Sequence, residues 1–192
     1  MRHHLEAYHT HLWGAFYLTL AILGGVFAGA LKWQAQTEFS GEHVCLLFWS
    51  AADQAQGVKT SNMCGVAIGI GTLGLLLSLT LGTLTTLLLT RSTSGRAKRL
   101  IRALAALSTL YTLLLLIGAS LATAGLRSTC ANIEAGTEAA PGMRCEDGFG
   151  VMGKRLGTVK AGVSAAWVGV GAWMAYSAAE WWNWKVASER WW

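Results

Sequence analysis

Charge and proline are both scarce in this chain of 192 residues. Asp, Glu, Lys and Arg together make up 13% of the residues, compared with roughly 25% in soluble domains, and Pro141 is the only proline. Hydrophobic residues make up 53%, and the mean hydropathy is +0.41. The low charge excludes an ordinary soluble domain, and the shortage of proline excludes a Pro-rich linker between domains.

Patterns that carry catalysis or bind metals are also missing. There is no CxxC, so neither a redox-active dithiol nor a zinc site has the expected spacing. No nucleophile–base pair, phosphate-binding loop or carboxylate dyad can be placed. Four histidines near the start are interpreted as polar residues beside the headgroups, since nothing completes a metal site: His3, His4, His9 and His11. We therefore expect no enzyme, no cofactor and no bound metal.

Four long apolar stretches, free of Asp, Glu, Lys, Arg and His, account for the hydrophobic content. Each is long enough to cross about 30 Å of hydrocarbon at about 1.5 Å per residue, and each is apolar all round. The sequence predicts an all-α membrane protein, a single domain over residues 1–192 that forms a bundle of four transmembrane helices. The predicted spans are 12–31, 66–90, 103–126 and 161–179.

Cleavage of the first stretch as a signal peptide is a competing interpretation. Small residues that would suit a peptidase lie near its end: Ala28, Gly29 and Ala30. Against cleavage, Leu12–Leu31 is longer than an h-region of about 7–15 residues and has Trp13 and Trp33 at its two ends. We expect this stretch to be retained as the first span.

The densest group of basic residues lies between the second and third spans. Residues 91–102 contain five Lys or Arg and no acidic residue, so the positive-inside rule places this loop in the cytoplasm. Both termini then lie in the cytoplasm, including the tail 180–192, and loops 32–65 and 127–160 lie outside. The rule separates the two sides only weakly, because several basic residues of the second outer loop fall on the outer side.

All four cysteines lie in the two predicted outer loops, Cys45 and Cys64 in the first, Cys130 and Cys145 in the second. An even number on one side of the membrane is typical of an oxidising lumen or exterior, in a plasma membrane or a secretory-pathway membrane. Among the three pairings that four cysteines allow, we favour Cys45–Cys64 and Cys130–Cys145, because each closes a short loop between neighbouring helices. Four free thiols in a reducing compartment are the alternative.

The first outer loop contains a short β-prone run, Glu42–Trp49, which predicts a small extracellular strand or hairpin pinned by Cys45. The second outer loop is predicted to be irregular apart from its disulfide, because it is rich in glycine and contains the proline. Within the spans, small residues at helical spacing predict the seams at which helices pack closely. The principal positions are Gly25, Gly29, Gly74, Ser78, Gly82, Gly162 and Gly169.

Tryptophan is frequent, with ten residues in the chain. Because indole rings favour the membrane interface, we predict an aromatic belt and a short interfacial helix over residues 181–192. A surface that binds a partner is the alternative interpretation of this tail. The predicted interface anchors are Trp13, Trp33, Trp181, Trp182 and Trp184.

The layout of spans and cysteines resembles the transmembrane protein 179 family, including its B-type relatives. The resemblance rests on HVCLLFW around Cys45, Cys64 immediately before the second span, LRSTCANI around Cys130 and MRCEDG around Cys145. It covers most of residues 15–175 and implies a four-span membrane protein without catalytic residues to transfer. The Trp-rich tail and the high Ala and Gly content depart from that family. A more distant resemblance is to claudin-like four-span proteins, whose tryptophan precedes a close cysteine pair that this chain lacks.

The expected function is that of a non-enzymatic accessory or scaffold protein that contacts another integral membrane protein through helix faces and outer loops. The spans carry no functional charge, and the outer loops are too short to act as receptors alone. One alternative is a small channel or transporter subunit that forms a homo-oligomeric pore along the Ser and Thr residues of the second span. A further alternative is an accessory subunit of an organellar energy-converting complex. We expect contact with the lipid bilayer and none with nucleic acid.

Overall fold

A computed structural model of the protein describes residues 2–39, 42–47, 63–90, 94–135 and 143–189. Within these residues lie four long helices and one short helix: α1 (Arg2–Ala30), α2 (Met63–Thr90), α3 (Ser94–Glu134), α4 (Cys145–Val151) and α5 (Leu156–Glu189). A π-helical turn and two strands follow α1: Leu31–Ala35, β1 (Gln36–Phe39) and β2 (Glu42–Cys45).

Three helices in the described part of the chain are long and apolar enough to cross a membrane: Gly14–Ala35, Met63–Leu84 and Ala103–Glu134. Many of their outward side chains are large and aliphatic: Leu18, Ile22, Val26, Leu73, Leu76, Leu110, Leu113 and Ile117. Soluble monomers rarely expose continuous apolar surface of this extent, whereas lipid requires it. The chain is therefore a multi-pass membrane protein. Helix α5 has 34 residues but is not among the three.

The four long helices form a closed ring of contacts, in which α1 and α3 each pack on both α2 and α5. Helices α1, α3 and α5 fill the inside of this ring with large buried side chains: Leu20, Phe27, Tyr111, Leu115, Trp173 and Tyr176. Helix α2 contributes mostly small buried residues: Ala67, Gly71, Gly74 and Ser78. Since lipid gives apolar helices no hydrophobic reason to associate, close packing and polar contacts stabilise the ring.

Helices α1 and α2 meet backbone to backbone at Gly24 and Gly71. A Cβ atom on Gly24 would lie 2.9 Å from the Gly71 carbonyl oxygen, and one on Gly71 would lie 3.1 Å from the Gly24 carbonyl oxygen. The Cβ atom of Ala28 would also lie 3.0 Å from a Cβ atom added to Gly71. Neighbouring backbone cannot move aside as the end of a side chain can, so this approach requires glycine.

The predicted packing positions differ in what they contact. Gly74 faces the hydroxyl of Tyr111, and Ser78 is fully buried. Three further glycines of the set each face a side chain of a neighbouring helix: Gly82, Gly162 and Gly169. At Gly25 a Cβ atom would meet only a side-chain methyl group, at 3.1 Å. The prediction for Gly29 is wrong, because a Cβ atom there would have nothing within 4 Å.

The helices extend further than the apolar stretches that predict them. Helix α3 begins at Ser94, so most of the predicted loop 91–102 is helical, and it ends at Glu134, beyond the predicted third span. Helix α5 runs without interruption to Glu189, so the separate interfacial helix predicted over 181–192 is wrong as far as the described residues reach. A helix does not have to end where the hydrocarbon of the membrane ends. It ends where its backbone hydrogen bonds are lost or where a helix-breaking residue occurs.

Strands β1 and β2 form a two-stranded antiparallel sheet in which Gln36 lies opposite Cys45. The run Glu42–Trp49 predicts a longer strand, but β2 ends at Cys45, and Leu46 and Leu47 are both buried in the core. Successive residues of a strand point to opposite faces, so two adjacent leucines are buried together more readily outside a strand. The remainder of that run lies outside the described residues.

Candidate functional site

Two disulfides join the chain at one end of the helix ring. Cys45, the last residue of β2, is bonded to Cys64 in the first turn of α2. Cys130 of α3 is bonded to Cys145, the first residue of α4. These are the pairs favoured from the sequence, and they include all four cysteines of the chain. The joined segments, which form the disulfide cap, are residues 31–39, 42–47, 127–135 and 143–155.

Leu46 connects the first disulfide loop to α3. Its amide donates to the Ala35 carbonyl oxygen at 2.7 Å, and its own carbonyl oxygen accepts from Thr129 Oγ1 at 2.5 Å. Thr129 is fully buried and directly precedes Cys130, so this hydrogen bond ties the two disulfide loops together. Leaving such a buried group without a partner costs about 1–3 kcal/mol, which makes the contact a specific part of the cap.

The segment predicted as the second outer loop contains helix α4, although its glycine-rich sequence predicts irregular structure. Phe149 is buried, and a Cβ atom on Gly148 would lie 2.7 Å from a methyl group of Ile133, so α4 packs tightly against the end of α3. Two acidic residues in the first turn of α4 interact favourably with the helix dipole and support its start. Gly153, at φ +67°, then turns the chain towards α5.

At the opposite end of the helix ring, two tyrosines join α1 to α5. The Tyr17 hydroxyl donates to the Tyr176 hydroxyl at 2.8 Å, and both residues are buried. The ring centroids lie 5.6 Å apart at an angle of 66°, an edge-on arrangement that favours aromatic contact. Phe16 and Trp173 pack on Tyr176 at centroid distances of 6.0 Å and 5.7 Å. These four residues form an aromatic cluster.

A set of hydroxyl groups joins α3 to α5 beside the aromatic cluster. Ser177 Oγ lies 2.9 Å from Ser108 Oγ and 3.0 Å from Thr109 Oγ1. The Trp181 indole nitrogen donates to Thr109 Oγ1 at 3.0 Å, so this ring is directed towards α3. Across the described residues, no buried side-chain nitrogen or oxygen lacks a partner. A fully satisfied network of this kind holds the helices together.

Glu180 follows the predicted fourth span and lies partly buried next to the aromatic cluster. Burial raises the pKa of its carboxyl group, and a hydrogen bond with Tyr176 acts in the opposite direction. A shifted carboxyl can mark a functional site when other reactive groups surround it. No group of three His, Cys, Asp or Glu side chains that could hold a metal ion occurs among the residues the structure describes, and the four N-terminal histidine side chains lie outside them.

The hydroxyl groups of α2 that the structure describes form hydrogen bonds within their own helix. Thr72, Ser78, Thr80 and Thr83 each donate to a carbonyl oxygen three or four residues earlier. The three threonines are exposed on the outside of the ring, so they could line a pore only between several copies of the chain. Hydroxyls already satisfied by the helix give that interpretation no support.

A cavity of about 10 Å³ lies between α1, α3 and α5, with Phe27, Tyr111, Leu115 and Trp173 among its walls. A space of this size holds about one water molecule, and a water needs two or more polar partners to remain there. The walls are largely apolar, so the cavity is a packing gap with no room for a small-molecule ligand.

The outward face of α5 differs from the outward faces of α1, α2 and α3. Its central residues follow a heptad spacing and are mostly small: Gly157, Ala161, Ser164, Val168, Gly171, Ala175 and Ala178. Trp167 and Trp181 border this small-residue stripe on the side of α3, to which both indole nitrogens donate. A Cβ atom at Gly157 or Gly171 would meet nothing within 4 Å. The stripe leaves space for another helix to approach closely.

The predicted tryptophan anchors divide into three groups. Trp33 is 73% exposed and Trp182 is 68% exposed, and they lie at opposite ends of the helix ring. Trp181 is partly exposed but bonded to α3. The side chains of Trp13 and Trp184 lie outside the described residues.

The sequence interpretation did not include the buried tyrosines or Gly24. A tyrosine within an apolar span could have indicated the buried tyrosines, because its hydroxyl group needs a hydrogen-bond partner inside the protein. Tyr17, Tyr111 and Tyr176 all meet that description.

No protein-family model matches the chain, and no curated protein or solved structure is similar to it at a significant level. The class of protein therefore follows from its own sequence and structure. It is a helical, multi-pass membrane protein with two disulfides at one end.

Proposed function

We propose that the protein is a non-enzymatic four-span accessory protein whose small-residue stripe binds a transmembrane helix of another integral membrane protein. Helix α5 is the fourth span in this proposal. Its low content of Leu and Ile has a physical explanation if the stripe faces protein, since interfaces between membrane helices are enriched in Gly, Ala and Ser. The stripe is the observation that carries the proposal, together with the aliphatic outer faces of α1 and α3. Kinship with the transmembrane protein 179 family is part of this proposal.

The spacing and charge of the stripe favour a different protein over a second copy as the partner. Heptad spacing suits a left-handed crossing of about 20° between helices. In a parallel two-fold pair, each residue of the seam meets its counterpart. Lys185 continues the heptad that contains Gly171 and Ala178, so two copies would bring two lysines together. A partner helix with an acidic residue at that level avoids this repulsion.

A Gly171→Leu substitution should weaken partner binding about tenfold, because a leucine in the middle of the stripe holds the two backbones apart. The measurement is photo-crosslinking in native membranes, with a photoreactive amino acid at Ala175 and a second probe at Leu113 on the outward face of α3. The Ala175 probe should give one discrete heavier adduct that Gly171→Leu removes. The Leu113 probe should give no protein adduct.

Gly69→Leu is the matched control for this experiment. Gly69 is also an exposed helix glycine at which an added Cβ atom meets nothing within 4 Å, but it lies on α2. Retention of the adduct in Gly69→Leu and its loss in Gly171→Leu support the proposal. Loss only in Gly69→Leu would move the interface to the threonine face of α2, and purification solely as a monomer would contradict an accessory role. Co-migration with a respiratory complex would identify the partner as an energy-converting assembly.

The proposed topology places both termini in the cytoplasm and the disulfide cap with its β-sheet outside the cell or in the lumen. A membrane-impermeant thiol label should therefore reach Thr137→Cys but not Ser94→Cys in intact cells. Thr137 lies outside the described residues, within the loop that follows α3. Because the native cysteines are all in disulfides, they contribute no background. The reverse labelling pattern would invert the topology and put the basic segment 91–102 outside.

A further inference from the structure

Basic residues lie on both sides of the contact between the π-helical turn of the disulfide cap and the start of α5. Lys154 Nζ donates to the Trp33 carbonyl oxygen at 3.0 Å, and the Arg155 amide donates to Gln34 Oε1 at 2.7 Å. Each of these bonds joins residues 121 positions apart in the chain. They place the backbone of Lys32, the neighbour of Trp33, beside the segment that contains Lys154 and Arg155. Lys32, Lys154 and Arg155, together with Trp33, form the rim patch.

The end of a membrane-length helix is the expected position of the lipid headgroups, and the rim patch lies there. Lys32 and Trp33 fall in the last turn of the membrane-length range Gly14–Ala35, and Lys154 and Arg155 directly precede α5. Trp33 is 73% exposed, as suits an indole at the boundary between acyl chains and headgroups. The side chains of Lys32 and Arg155 are also exposed, so their charged ends can extend to the phosphate layer.

The charge of the rim patch is not balanced by the described side chains. An ion pair joins Lys160 of α5 to Glu146 of the cap at 4.0 Å, outside the patch. Among the described side chains, none of the patch cations forms an ion pair. Basic side chains gathered at one place on the surface attract an anion. At this depth of a bilayer, the anion present at high local concentration is the phosphate of a phospholipid.

We propose that the rim patch binds the headgroup phosphate of an anionic phospholipid, with Trp33 packed at the boundary between headgroup and acyl chain. The inference requires only that α1 crosses the membrane, so it holds for either orientation of the chain and is independent of the α5 partner. The Lys154 amine keeps its hydrogen bond to the Trp33 carbonyl oxygen and so holds the two sides of the patch together. The Lys32 and Arg155 side chains supply the positive charges that contact the phosphate.

The test uses the full chain in nanodiscs of phosphatidylcholine containing phosphatidylglycerol as the anionic probe, and the readout is native mass spectrometry of retained lipid. Lys32→Gln combined with Arg155→Gln should reduce the preference for the anionic lipid by roughly tenfold or more. Lys154 is left unchanged, so the contact with Trp33 persists. The control, Arg127→Gln combined with Arg144→Gln, removes the same charge from exposed positions of the cap outside the patch. It should keep the preference.

A further readout separates a lipid site from loss of folding. The melting temperature in pure phosphatidylcholine should be the same for the two double variants and the unmodified protein. Equal loss of preference in both variants would show a diffuse charge effect and overturn the proposal, as would full retention in the Lys32 and Arg155 variant. If inorganic phosphate at millimolar concentration stabilises the protein as well as phosphatidylglycerol does, the patch is a free-phosphate site and the assignment to lipid is wrong.

Discussion

A Gly71→Leu variant should lose about 3 kcal/mol or more of stability, because α1 and α2 can no longer approach each other. Its Cβ atom would lie 3.0 Å from the Ala28 Cβ atom and 3.1 Å from both the Ala28 amide nitrogen and the Gly24 carbonyl oxygen. Two of these three contacts are with backbone, which moves only if the whole helix moves. A melt in mild detergent should show a transition about 6–12 °C lower than that of the unmodified protein.

The same substitution at Gly69 separates the loss of the contact between α1 and α2 from the general effect of replacing a helix glycine with leucine. Gly69 lies on the same helix, two residues earlier, and faces open space. Gly69→Leu should melt within a degree or two of the unmodified protein, or slightly higher, since leucine is the better helix former. Equal melting of Gly71→Leu and Gly69→Leu would mean that α1 and α2 do not meet at Gly24 and Gly71.

Cys45→Ser should lower stability by about 3 kcal/mol while the helices still insert into the membrane. The estimate comes from the entropy of a loop closed between residues 19 apart. Loss of the bond should make loop 32–65 easier to cleave and leave Cys64 as a newly alkylated thiol. Limited proteolysis and mass mapping of alkylated peptides measure both effects.

Cys130→Ser provides the comparison for Cys45→Ser. It opens a separate disulfide, with a separation of 15 residues, and should expose the 127–160 loop first. The hydrogen bond from Thr129 to Leu46 connects the two loops, so each variant should also loosen the other loop slightly. The compartment assignment fails if all four thiols are found free in unmodified protein that was trapped with an alkylating agent before lysis.

The disulfide pairing could be predicted because it follows from where hydropathy places the spans. Once Cys45 and Cys64 are assigned to one loop and Cys130 and Cys145 to the other, local pairing closes the shortest loops. Three apolar helices were recognisable for the same reason, since lipid demands a long and uninterrupted apolar sequence. Helix α5 is harder to assign, because the small residues that suit a helix interface also lower its hydropathy.

The position of the close contact between α1 and α2 could not be predicted from spacing. Gly24 and Gly25 are adjacent in the chain but point about 100° apart on the helix, so only the packing decides which one faces α2. Gly29 matches a common small-residue pattern with Gly25, yet a Cβ atom on Gly29 would have nothing within 4 Å. Sequence therefore indicates that a glycine contact exists, and tertiary structure selects the glycine.

Contacts between residues far apart in the chain were the part of the candidate site that was hardest to predict from the sequence. Tyr17 and Tyr176 are 159 residues apart, and no local pattern relates them. The basic residues of the rim patch are also far apart in the chain, because Lys32 belongs to the π-helical turn after α1 and Lys154 to the turn before α5. In both places, nothing in the local sequence distinguishes the polar groups. They come together only because α5 packs against α1 and closes the ring.

The contact between Leu46 and Thr129 has a consequence for the order of events during synthesis. Thr129 lies 83 residues after Leu46, so at about 5–20 residues per second it is made roughly 4–17 s later. Cys64 follows Cys45 by only 19 residues and is available within about 1–4 s. The first disulfide can therefore close while the ribosome has yet to produce the residue that docks its loop. A nascent chain halted before the third helix would carry a first loop that is closed by its disulfide but not yet docked on α3.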